Sequence, residues 1–174
     1  IAHLQNDEAA ETDFRSRALS TWSANPEVDH LIGRDLSRKY RFAEGAAHQR
    51  QALQFDASYW PAKKQLAEDL LRLGEETEGW QLADEAFQRD EYDVALFNLV
   101  TLRDEIEKFR TLEDEQFVVR MESNEAAIYG ERVQSLLHRA RETLCAKYGV
   151  ELDGRTTVEI FPNPDDFAVR TFGL

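Results

Sequence analysis

The chain has one cysteine, one methionine, four prolines and no long apolar run among its 174 residues, and it is short of cations. Cys145 has no partner thiol, so an internal disulfide is excluded and the redox compartment stays open. No stretch approaches the ~20 apolar residues of a spanning helix, so no membrane span is expected. Lys and Arg number 21 against 34 Asp and Glu, a net charge of −13. Such an excess repels polyanions, which argues against a nucleic-acid backbone or an anionic membrane as the main partner. His3, His30, His48 and His138 are scattered without a metal-ligand cadence, and no glycine-rich phosphate loop occurs. No catalytic residue, metal site or cofactor is therefore assigned to this chain. With 42 % hydrophobic residues, the length suffices for one large or two small cores. The chain opens on Ile1 and stops at Leu174 soon after a helix-start signal, which leads us to expect a piece of a longer protein.

What is present first is a repeat. A shift of 34 positions aligns Ala18-Leu19 with Ala52-Leu53 and Ala86-Phe87, Ile32 with Leu66 and Val100, and Leu36 with Leu70. The same shift pairs Gly45 with Gly79 and Asp56 with Asp90. Leu66, Leu70 and Leu73 keep helical spacing up to Gly74, a residue suited to a left-handed helix end. A second helical stretch then brings Gly79, Ala83 and Ala86 to one face, where small residues let antiparallel helices approach closely. Each such hairpin has an apolar side that only a neighbouring hairpin covers.

These residues resemble the tetratricopeptide repeat over about residues 7 to 110. The likeness rests on Gly33 and Ala67, on Gly45 and Gly79 at the close-packing column, on the Ala-Leu or Ala-Phe pairs, and on Asp56 and Asp90. Two complete repeats are expected, flanked by the second helix of a preceding repeat and a first helix at about residues 93 to 109. Asp29 and Lys63 replace the usual early aromatic residue, and Ala57 and Glu91 the usual closing proline. The resemblance implies a mainly α antiparallel helical-hairpin superhelix over residues 1 to 110, whose first helices line a groove for a protein or peptide. Its groove columns fall on His30, Arg34 and Arg38 and on Lys64, Glu68 and Arg72, each trio spaced along one helical face. The Lys and Asn set of the chaperone-tail-binding subgroup is absent, so that partner class is not expected.

Charge is uneven along the chain. Residues 30 to 72 carry 8 basic and 5 acidic residues, a net of +3, whereas residues 1 to 29 carry −4 and residues 73 to 174 carry −12. We therefore expect the groove to favour an acidic peptide, against the alternative that these are ordinary solvated helix faces.

After about residue 110 the period changes. Phe117, Val119 and Met121 alternate with Val118 and Arg120, the two-residue period of a strand with one buried face. Ser123-Asn124 offers a helix cap, and a one-sided helix runs through Tyr129, Val133, Leu136, Leu137, Ala140 and Leu144 to Gly149. A strand over Thr156 to Pro162 and a helix capped by Asn163 with Pro164 first complete a small α/β segment, residues 111 to 174, in the order strand, helix, strand, helix. The two strands are expected to be parallel. Open strand edges and an unfinished repeat face point to self-association as a homodimer.

This segment resembles the opening of a peptidase MA-like zinc metallopeptidase domain of the gluzincin type, a bacterial family often found beside tetratricopeptide repeats. The cues are Tyr148-Gly149, the strand closing in Phe161-Pro162, and Asp165-Asp166-Phe167. The resemblance implies a parent enzyme whose zinc sits downstream on an H-E-x-x-H helix. That motif does not occur here, so no family residue is carried over and this chain itself is expected to be non-catalytic. His138 and Glu142 read as a surface pair, and Cys145 as a buried small hydrophobe. Trp22, Trp60, Trp80, Tyr59 and Tyr92 read as packing between hairpins. Two functions remain: a repeat binding module joined to the start of a peptidase domain, or a complete repeat adaptor with an α/β appendage.

Overall fold

The computed structural model describes residues 2–5 and 7–172. Ile1 and Leu174, and the side chain of His3, lie outside the described set. The chain is mainly helical and divides into two compact units, residues 1–100 and 101–174, with the boundary inside one helix.

In the first unit a short 3-10 turn is followed by α1 (Glu8–Ala18), α2 (Pro26–Ser37), α3 (Phe42–Phe55), α4 (Trp60–Leu73) and α5 (Glu76–Arg89), and α6 (Val94–Ile106) crosses the boundary. Local chemistry sets most of the ends. Asp7 and Asn25 cap α1 and α2 by accepting from the Ala10 and Glu27 amides, and proline stands in the first turn of both α2 and α4. Gly74 ends α4 at φ 80°, the left-handed conformation that glycine adopts without a side-chain penalty.

Consecutive helices pack as hairpins, α2 on α3 and α4 on α5, with α3 on α4 between them. Ala46, Leu66 and Leu70 form one apolar cluster, and Ala67, Leu71, Ala83 and Leu99 form the next. The helices meet on missing side chains. A Cβ at Gly33 would stand 2.5 Å from Gln49 Nε2 and 2.8 Å from the Gly45 carbonyl, and one at Gly79 would stand 2.9 Å from Leu71. At the α2–α3 crossing, the small-residue columns of the repeat are thus a steric requirement.

The second unit holds β1 (Arg110–Glu113), β2 (Phe117–Met121), α7 (Ser123–Tyr148), β3 (Thr156–Ile160) and α8 (Pro164–Phe172). The sheet order is β1-β2-β3, with β2 antiparallel to β1 and parallel to β3. The parallel pair was expected; β1 was not. Phe117, Val119 and Met121 point to one face and join Ala126, Val133 and Leu137 of α7 with Val158 and Ile160. Strand alternation puts Glu159 on the other face, where it accepts from Arg170 Nε of α8 at 2.7 Å and faces Arg120 at 3.5 Å. The cap of α7 is Glu122 rather than the Ser123-Asn124 pair: its carboxylate accepts from the Asn124 and Glu125 amides, a charge-assisted bond at the positive end of the helix.

Candidate functional site

Of the six groove residues expected from the repeat columns, five lie on α2 and α4, which adjoin, and Arg38 caps the C-terminal end of α2. His30 is only 8 % exposed. Its Nδ1 lies 2.9 Å from Gln49 Oε1 and its ring meets Tyr59 edge-on at 5.7 Å, so it belongs to the α2–α3 interface rather than to a binding face.

The basic residues are mostly matched. Arg38 pairs with Asp35 at 3.3 Å, and Lys64 reaches Asp93 at 2.5 Å. Arg72 donates to the Glu68 carbonyl, lies 3.8 Å from the Glu68 carboxylate and stacks its guanidinium over the Phe42 ring. Burial pushes the Glu68 carboxyl up, opposed by Arg72 and Lys64. Burial also pushes Asp93 up, but the hydrogen bond and charge of Lys64 together with the Leu96 and Ala95 amides outweigh it and hold that carboxyl below the usual range. Outside the six, Lys63 pairs with Glu85 and Arg50 with Glu75 and Glu78. The acids that neutralise Lys63, Lys64 and Arg50 all come from beyond residue 72, on α5 or just before α5 and α6. The local excess of +3 therefore overstates the free positive charge of this face.

Arg34 differs from the rest. It is half-buried on α2, and among the described residues its Nε, which is out of contact with solvent, has no hydrogen-bond partner. Leaving a buried donor unpaired costs about 1–3 kcal/mol. Its charge is felt by the Tyr59 phenol, which burial and Glu27 push above its ordinary value and Arg34 pulls back. Of the expected groove residues, it is the one with a buried donor that has no partner among the described residues.

The interior of the first unit carries a polar network that sequence reasoning missed. Asp29, fully buried, accepts from Arg15 Nε at 2.9 Å and Nη2 at 2.7 Å, and lies 2.8 Å from His48 Nδ1. Burial pushes its carboxyl up, but the bonds and charges of His48 and Arg15 outweigh this and hold it below the usual range. Asp69, also fully buried, accepts from Ser37 Oγ at 2.8 Å and Gln65 Nε2 at 3.1 Å, and burial pushes it up to about 6.

In the second unit an open cavity of about 620 Å³ is lined by Gln116, His138, Arg141, Glu142, Cys145 and Leu152. Three of its polar side chains, Gln116, His138 and Arg141, are committed to structure. His138 is not paired with Glu142: its Nδ1 lies 3.0 Å from Gln116 Oε1 and its Nε2 lies 2.9 Å from Asp114 Oδ2. The Gln116 amide comes first among the groups that hold the Asp114 carboxyl below its usual range. Arg141 donates to the Leu152 and Gly154 carbonyls. Cys145 lines this cavity and is half-exposed, not the buried hydrophobe expected. Two aromatic expectations also fail, since Trp22 is 59 % exposed and Tyr92 95 %. Trp80 does pack, against the cluster of Ala67, Leu71, Ala83 and Leu99, whereas Trp60 carries the Lys63 ammonium over its ring. Among the described residues no group of three His, Cys, Asp or Glu side chains could hold a metal ion, and no helix is long and apolar enough to cross a membrane.

No family model matches the chain, and no curated protein matches it.

Proposed function

We propose that this protein is a non-catalytic recognition module of tetratricopeptide-like helical hairpins that binds a protein or peptide segment across α2 and α4, with Arg34 as the anchor for a carboxylate of that segment. The observation that carries this reading is the half-buried guanidinium whose Nε lacks a partner while the neighbouring cations are paired. A carboxylate placed beside it accepts two N–H bonds in the planar fork geometry that only arginine offers. The paired Lys64 and Arg72 then position the helix face rather than attract the ligand. Acidic character in the ligand is needed at one point, not along its length.

A panel of labelled peptides that differ only in Glu against Gln at each position tests this by fluorescence anisotropy. Binding is expected to require Glu at one position, and Arg34→Glu should weaken it by about tenfold to a hundredfold, as befits one charge-assisted pair. Equal binding by wild type, Arg34→Ala and Arg34→Glu would remove the proposal.

The order β2, α7, β3, α8 favours a second reading for the other unit, as part of a peptidase MA-like domain. In that reading the zinc ligands lie outside this sequence, and an H-E-x-x-H segment encoded beyond Leu174 would support it.

A further inference from the structure

Among the described residues, the charged side chains of α2 and α4 are matched with two exceptions. Asp29 accepts from Arg15 and lies against His48, Asp35 faces Arg38, Lys63 reaches Glu85, Lys64 reaches Asp93, and Glu68 faces Arg72. Asp69 accepts from Ser37 and Gln65. The exceptions are Glu27 and Arg34, both on α2, which stand in no ion pair among the described residues.

The two have opposite signs and share a face, since seven residues make nearly two turns of helix. They do not meet, because the same seven residues part them by about 10 Å along the axis. His30 lies between them, one turn from each, and its ring packs edge-on against Tyr59 at 5.7 Å. Tyr59 therefore sits between the two charges, and its phenol registers both: burial comes first in raising it, Glu27 adds to the rise and Arg34 opposes it. Glu27 is exposed, and Tyr59 and Arg34 are half-buried. The positive end of the helix dipole accounts for an acid in the first turn of α2, but not for a cation two turns on whose buried Nε has no partner. Nor does the repeat demand the pair: one period on, Glu27 and Arg34 become Pro61 and Glu68.

Resting on the reading of Arg34 as a carboxylate anchor, we propose that the same site takes a dipolar segment, with an Asp or Glu at Arg34, a Lys or Arg at Glu27, and Tyr59 between them. At about 3.3 Å per residue an extended segment covers the distance in about three residues, so its two charges stand about that far apart. The pair then fixes the register of the segment along α2 and turns away a uniformly acidic one, whose second carboxylate would face Glu27.

The probes are short, labelled, end-capped peptides on a Gly-Ser-Ala background that carry Glu alone, Glu with Lys three residues before or after it, or two Glu at that spacing. Each is titrated by fluorescence anisotropy into the intact chain at low ionic strength. One of the two Glu–Lys peptides is expected to bind about twofold to fivefold more tightly than Glu alone, the size of an exposed ion pair. Glu27→Gln should abolish that gain while still binding the Glu-only peptide, and Glu27→Lys should prefer the two-Glu peptide to either Glu–Lys one. Glu27 is exposed, so its replacement removes only a small helix-dipole contribution, and unchanged circular dichroism verifies the fold. Arg34→Ala separates the two claims. Binding that ignores Arg34 removes the anchor on which the proposal rests. Arg34-dependent binding with no gain from Lys in either order, or with a gain that survives Glu27→Gln, overturns the dipolar ligand and leaves the anchor standing. No saturable binding by any of the peptides overturns both.

Discussion

Asp69→Asn is expected to stabilise the protein by about 2–3 kcal/mol at pH 8 and hardly at all near pH 4. Ser37 Oγ lies 2.9 Å from the Gly33 carbonyl and 2.8 Å from Asp69 Oδ2, yet a hydroxyl has one proton to give to these two acceptors. A protonated Asp69 supplies the second proton, donating to Ser37 Oγ while Ser37 donates to Gly33. Burial drives the carboxyl from 3.8 to about 6, with Glu68 adding to the rise and Ser37, Gln65 and Arg72 opposing it. Because the folded value lies above the unfolded one, the fold holds its proton more tightly, and stability falls as pH rises from about 4 to above 6. The shift is worth about 3 kcal/mol. Asparagine reproduces the neutral pattern, with an amide N–H toward Ser37 and a carbonyl toward Gln65. Urea unfolding of both proteins from pH 4 to pH 8 should show a gap that opens through pH 6. A gap independent of pH, or a less stable Asn variant at pH 8, would refute the assignment.

Asp29→Ala should cost about 3 kcal/mol, the lower part of the range for breaking a buried ion pair, since Arg15 keeps 30 % and His48 19 % side-chain exposure. Asp29 bridges α1 and α3: Arg15 reaches it from one and His48 from the other. Helix α1 buries no residue of its own, so this ion pair is a principal tie to α2. The sign with pH is opposite to that of Asp69. A carboxyl held below its ordinary value adds stability above the usual carboxylate range and loses it as pH falls through the depressed value. Hydrogen exchange of the variant should show residues 8–18 losing protection before α3 and α4 do. Uniform loss throughout the first unit would contradict a local role.

The helices, the left-handed ends at Gly74 and Gly149, strand β2 and the parallel β3 were legible because each has a local cause: spacing, a cap or alternation. Strand β1 was not. Its four residues include one inward apolar side chain, Leu112, and it forms because the Asp114 carboxylate accepts from the Gln116 and Phe117 amides and turns the chain back onto β2. The basic island misled for a related reason, since its neutralising acids lie 22 to 29 residues away for Lys63, Lys64 and Arg50. The network around Asp29 did leave a trace. A charged residue at the column where the family places an aromatic calls for a buried partner, and two lie 14 and 19 residues off, on different helices. What no pattern in the sequence reveals is that, among the described residues, Arg34 Nε is left without a hydrogen-bond partner while its neighbours are satisfied.

That residue also supplies the most direct test of the account. A nitrogen–proton correlation spectrum of the chain, titrated with the tightest acidic peptide of the panel, should show amides of α2 and α4 around Arg34 and Tyr59 shifting together and saturating. Shifts confined to residues 110–172, or none at saturating peptide, would contradict a recognition module built on these hairpins.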